Sequence, residues 1–320
     1  MNQDVFQNII GHDRVKDLLA RAGENGRLAH AYLFIGPRGV GKRTLAQSFI
    51  ESFIGGKLET HPDVTIIRRQ TDEKTGKKRS FISVEQIRSL KEKLSMSSLY
   101  GKKKAVFIED ADKLNAAGAN SLLKTLEEPK GNTLLILRAQ HLESVPRTIA
   151  SRCQTLRFSL VPTGTIASAL VERGSSKKDA EEIAALSLGR PGLALRFLKD
   201  SGLRAERETA LSFLLDQIGQ TPARRLGAIA DLLPKDEANK LEVAEEKLDA
   251  WELVLRDILL RANASEGIVH RTERDRIEKA ATSKPSDHWQ SGLERLKEAR
   301  ESIQHNGNLQ LAFEHILLRL

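Results

Sequence analysis

Ala31-Tyr32-Leu33-Phe34-Ile35-Gly36-Pro37-Arg38-Gly39-Val40-Gly41-Lys42-Arg43-Thr44 is the stretch that decides the fold. Its first five residues are an apolar run stopped by Gly36 and Pro37, which reads as a buried strand. A helix is expected from Lys42 to about Phe53. Gly36 to Lys42 fits G-x-x-x-x-G-K in the strand-to-helix setting that a phosphate loop requires. Its glycines let backbone N–H groups of residues such as Val40 turn toward phosphate oxygens. The helix N-terminus adds positive potential, and Lys42 neutralises the β/γ end. The next residue is Arg43, where a magnesium-ligating Ser or Thr belongs. Thr44 comes one place later, about 100° around the helix, and is expected to point away from a metal.

Working outward, residues 13–24 read as a helix. Val64-Thr65-Ile66-Ile67, Ala105-Val106-Phe107-Ile108, Leu134-Leu135-Ile136-Leu137 and Thr155-Leu156-Arg157-Phe158 read as further strands. Ser83-Val84-Glu85-Gln86 has the capping-box form, opening a helix that carries Ile87, Leu90 and Leu94. Residues 116–128 form another, with Ala119, Leu122, Leu123 and Leu126 inward. Strands alternating with helices predict an α/β fold whose parallel sheet is covered on both faces. After Pro162 the strand signal stops. About three short helices are expected to residue 200 and several longer ones beyond, with Ser201 and Gly202 as a hinge.

The 320 residues give room for two or three domains. A net charge of +8 favours an acidic partner, while 4% aromatics exclude base stacking as a major binding mode. One cysteine, Cys153, leaves no disulfide framework and no multi-cysteine zinc site, and the eight histidines lack metal-ligand spacing. Cys153 reads as a small buried residue, not a nucleophile. There is neither a membrane-length apolar run nor a signal-peptide pattern, so the expected location is the cytoplasm, with no membrane partner. Lys77-Lys78-Arg79 and Lys102-Lys103-Lys104 read as basic loops, solvated or touching a nucleic-acid backbone.

Two further motifs carry chemistry. The third predicted strand ends in Glu109-Asp110, a carboxylate pair placed to hold a metal through water and orient an attacking water. The alternative is a solvated acidic strand end. Ser151-Arg152-Cys153 follows Asn120-Ser121-Leu122-Leu123-Lys124-Thr125-Leu126-Glu127-Glu128-Pro129 and a further strand. In that position Arg152 can reach the γ-phosphate of a neighbouring subunit; the competing reading is a surface salt bridge within the chain.

Taken together, these motifs resemble the delta-prime group of the bacterial DNA polymerase III clamp loaders, within the AAA+ family. Ile9-Ile10-Gly11-His12, His61-Pro62-Asp63-Val64 and Gly189-Arg190-Pro191-Gly192 extend the resemblance nearly end to end. It implies an AAA+ nucleotide-binding domain at 1–160, a small helical lid at 161–201 and an all-α collar at 202–320. It also implies an ATP site at Gly36, Gly39, Val40, Gly41, Lys42, Arg43 and Thr44. Motor subunits of the family carry Ser or Thr after the lysine, Asp-Glu at the strand end, a polar sensor after strand four and a lid arginine. Here those places hold Arg43, Glu109-Asp110, about Ala139 and about Gly192, so ATP binding is expected ahead of hydrolysis, with magnesium doubtful. The family's four-cysteine zinc module is absent, and no zinc is expected.

The implied role is a scaffold that donates Arg152 in trans, as an arginine finger, to a motor (gamma/tau) subunit. Its partners would be motor and delta subunits in a hetero-pentamer, the sliding clamp and primer–template DNA. The alternatives are an active motor ATPase and, further off, a stand-alone DNA-remodelling AAA+ ATPase.

Overall fold

The computed structural model describes residues 3–72, 79, 81–100, 103–129, 131–229, 232, 240–265, 273–304 and 307–320. Five strands, β1 (Ala31–Ile35), β2 (Val64–Ile67), β3 (Lys103–Ile108), β4 (Asn132–Ala139) and β5 (Gln154–Arg157), form one parallel sheet in the order β2-β3-β4-β1-β5. α1 (Asp13–Glu24) precedes β1, and α2 (Lys42–Ile54), α3 (Val84–Ser95), α4 (Ala116–Glu127) and α5 (Arg147–Ala150) each join one strand to the next. Ser83 caps α3 with the reciprocal Ser83–Gln86 bonds of a capping box.

Strand side chains alternate between two cores, as a two-residue period requires. Leu33, Ile35, Val106, Ile108, Leu135 and Leu137 pack with Ile87, Leu90, Leu122 and Leu126 on the α3/α4 face. Tyr32, Phe34, Phe107, Leu134 and Ile136 pack with Leu19, Phe49 and Ile50 on the α1/α2 face. β3 and β4 are longer than their apolar runs because ladder pairing continues through polar residues, from Lys103 opposite Asn132 onward.

Helices α6 (Thr163–Val171), α7 (Lys177–Leu186) and α8 (Pro191–Lys199) follow. The chain divides into two compact units, Met1–Leu195 and Arg196–Leu320. Helices α9 (Ser201–Gln217), α10 (Pro222–Ile229), α11 (Lys240–Ala262), α12 (Arg274–Ser283), α13 (Ser286–Gln304) and α14 (Leu309–Leu317) belong to the second unit. Its core centres on Trp251, which is fully buried, donates to Ala210 O at 3.0 Å and meets the Phe313 ring edge-on. Ser201 and Gly202 are not a hinge: they open α9, where the Asp200 carboxylate accepts from the Gly202 and Leu203 N–H groups. An N-cap acid fixes a Ser-Gly pair that sequence alone leaves loose.

Lys103 and Lys104 are likewise used internally. Lys103 lies over the Phe53 ring and donates to Phe53 O at the end of α2; Lys104 donates to Lys93 O and Leu94 O at the end of α3. Each cation satisfies carbonyls at the negative end of a helix dipole. Lys77, Lys78 and Lys102 lie outside the described residues.

Candidate functional site

In a parallel sheet every strand ends at the same edge, so β1, β3 and β4 deliver Gly36, Glu109 and Arg138 side by side. Register makes this explicit: Ile35 is paired with Ala139, and Ile108 with Leu137. Gly36, Gly39 and Gly41 all have positive φ, at 150°, 75° and 103°. A Cβ on Gly36 would lie 2.0 Å from Phe158 O, so only glycine lets the loop leave the sheet there. Val40 is fully buried, and its carbonyl accepts from His12 Nε2 at 2.8 Å, tying the loop to the Ile9–His12 segment. The glycine-rich cradle and the start of α2 fit a polyphosphate.

Lys42 is 6% exposed, and its Nζ donates to Gly36 O and Pro37 O, inside its own loop. Burial, with Arg138 and Arg38 nearby and only Asp112 opposing them, pushes the Lys42 ammonium down to about 7. An arriving phosphate restores the charge. Nucleotide binding at pH 8 is therefore expected to take up a proton, and affinity to fall as pH rises from 7 to 9. Calorimetry in buffers of different ionisation enthalpy would show the uptake; equal apparent enthalpies in all of them would refute it.

Arg43 does not leave the metal position open. Its Nη2 lies 3.1 Å from Glu59 Oε1 and 3.2 Å from Glu109 Oε1, while Thr44 is exposed. Glu109 is 7% exposed. Asp110 is held by Arg69 Nε at 3.3 Å and Arg138 Nη2 at 3.4 Å, and Arg138 Nε donates to Glu109 O at 2.7 Å. The acidic pair is therefore no solvated strand end: arginines contact both carboxylates. A loop magnesium needs a hydroxyl after the lysine and a carboxylate free to order its waters. A guanidinium stands there instead, and these residues do not fit the ion. Among the described residues no group of three or more His, Cys, Asp or Glu could hold a metal, and no helix is long and apolar enough to cross a membrane.

The two remaining sensor positions are closed by packing. Ala139 is 3% exposed inside the sheet. Gly192 N–H donates to Gly39 O at 2.8 Å, and a Cβ at 192 would lie 2.9 Å from that oxygen. An arginine there would push the α8 start off the loop. Arg69, Arg138 and Glu59 escape a reading by motif. The one available signal was a charged residue, Arg138, interrupting the apolar run of β4.

Arg152 stands elsewhere. It precedes β5, at the sheet edge opposite the phosphate loop, and about six residues of strand rise separate the two levels, roughly 20 Å. It cannot serve its own loop. Arg152 Nε donates to Glu127 Oε1 at 2.7 Å and Nη1 to Thr148 O at 2.9 Å, with about a third of the side chain exposed. The intrachain ion pair weighed against the finger thus exists, and it holds the guanidinium at the surface. His30 Nε2 donates to Leu126 O at 2.6 Å, pinning the end of α4 that supplies Glu127. Burial pushes the Cys153 thiol up to about 12, which leaves it unreactive.

A family model described as "DNA polymerase III, delta subunit" matches residues 11–162. The "DNA polymerase III subunit delta'" of Pseudomonas aeruginosa is 31% identical over 229 residues, 64% of this chain and 67% of that protein. The chain belongs to the bacterial DNA polymerase III clamp-loader family. The Bacillus subtilis "DNA polymerase III subunit delta'" is 29% identical over 96% of this chain and 95% of its own length. Among solved structures, the Thermotoga maritima RuvB Holliday junction branch migration motor is 17% identical, with a TM-score of 0.46 over 78% of this chain and 76% of its own. The parallel sheet with helices around it is an α/β fold of the AAA+ clamp-loader family, and the role is in DNA replication.

Proposed function

We propose that this chain is the delta-prime scaffold of its clamp loader, with a nucleotide-binding domain at 1–160, a lid at 161–201 and a collar at 202–320. It binds nucleotide without turning it over and presents Arg152 to the ATP site of an adjacent gamma/tau motor, in a pentamer that also holds delta. There it helps place the sliding clamp on primer–template DNA. One observation carries this reading: the carboxylates of Glu109 and Asp110 are engaged by Arg43, Arg69 and Arg138, while Arg152 is partly exposed at the opposite sheet edge.

The active-motor alternative draws on the intact Gly36–Lys42 cradle, but it must displace Arg43 from Glu109 before a metal can enter. The test is ATP turnover by motor subunits reconstituted with delta, clamp and primed DNA, with this chain as wild type or Arg152→Ala. Stimulation by the wild type alone supports the scaffold; equal stimulation by both refutes the finger.

A further inference from the structure

Arg43 does more than remove a metal ligand. It follows Lys42 in the first turn of α2, beside the glycine cradle, and its guanidinium lies against Glu59 and Glu109. Glu109 Oε1 is buried and makes no aligned hydrogen bond, although Nη2 is 3.2 Å away. That carboxylate is in contact with a tethered cation, in the place where a metal-dependent relative would hold a hydrated divalent one. Arg138 and Arg38 add further positive charge around the loop. Such a site favours the ligand form with the most negative charge. A free nucleoside polyphosphate carries about two more negative charges than its magnesium complex.

We propose that Arg43 is a built-in counter-cation, and that this loop takes a nucleoside di- or triphosphate in its metal-free form. Backbone N–H groups of the cradle and Lys42 hold the phosphates, and Arg43 swings from Glu59 toward the terminal phosphate while the charge of Glu109 repels nothing that Arg43 does not offset. The ligand would be retained intact, since no hydrated metal positions an attacking water. This concerns the chain's own loop and stands independently of Arg152 acting in trans.

The test is ATP binding to the full chain by isothermal titration calorimetry, in EDTA and in magnesium chloride. Wild type is expected to bind in EDTA, with magnesium giving no tightening. Arg43→Thr should lose about tenfold or more in EDTA, the scale of one charge-assisted contact, whereas Arg43→Lys should stay within a few-fold of wild type. Thermal unfolding checks that each variant is folded; should Arg43→Thr fail, the wild-type and Arg43→Lys arms still decide. Wild-type binding that requires magnesium, no wild-type binding in either buffer, or Arg43→Thr equal to wild type in EDTA would each overturn the proposal.

Discussion

Under the proposed scaffold role, Arg152→Ala is expected to lower ATP hydrolysis by about 10³-fold or more at the adjacent motor site. A finger stabilises charge that develops on the transferring phosphoryl group, so its loss lowers the chemical step and leaves nucleotide affinity in the motor nearly unchanged. Bulk turnover then falls by that site's share, and further if the sites fire in order. Assembly should survive, because only a surface ion pair is lost: Arg152 is about a third exposed and its Glu127 partner about half exposed. An ion pair this open contributes little to stability. Arg152→Lys should rescue poorly, since an ammonium cannot reproduce the planar fork that Glu127 and Thr148 O orient. Single-turnover hydrolysis in the assembled loader reads both effects. An unchanged chemical step in Arg152→Ala would remove the finger from the account.

Trp251→Ala is expected to destabilise the second unit by about 3–5 kcal/mol. The indole is fully buried, stacks on Phe213 at 5.9 Å, abuts Phe313 at 5.1 Å and donates to Ala210 O. Truncation leaves a cavity in α11, the helix against which α9, α12 and α13 pack. Trp251→Phe keeps most of the packing and should cost markedly less. Urea unfolding followed by Trp289, the other tryptophan in the chain, measures the difference without the mutated reporter. A loss below about 1 kcal/mol would mean that the second unit closes over the hole.

How much of this was readable beforehand depends on whether the controlling contact is local. The Gly36–Lys42 loop, the capping box at Ser83 and the five strands were legible because turn chemistry, i-to-i+3 bonding and apolar runs act within a few residues. The pairing of Asp110 with Arg69 and Arg138 was not, because it depends on strand register: β3 and β4 bring Glu109 beside Arg138 only when Ile108 faces Leu137. Lys103 and Lys104 looked like a surface charge run for the same reason, since the helix ends they cap are distant in sequence. At Arg43 the sequence showed that a hydroxyl was missing. Only the structure showed that its replacement reaches Glu109.

Side-by-side turnover of the complete loader with this chain as Arg152→Ala and as Glu109→Gln tests the central claim most directly. The account predicts that Arg152→Ala lowers turnover while Glu109→Gln leaves it at the wild-type rate, because hydrolysis takes place in the neighbour. Loss of turnover in Glu109→Gln, with Arg152→Ala unaffected, would contradict it and make this chain a motor.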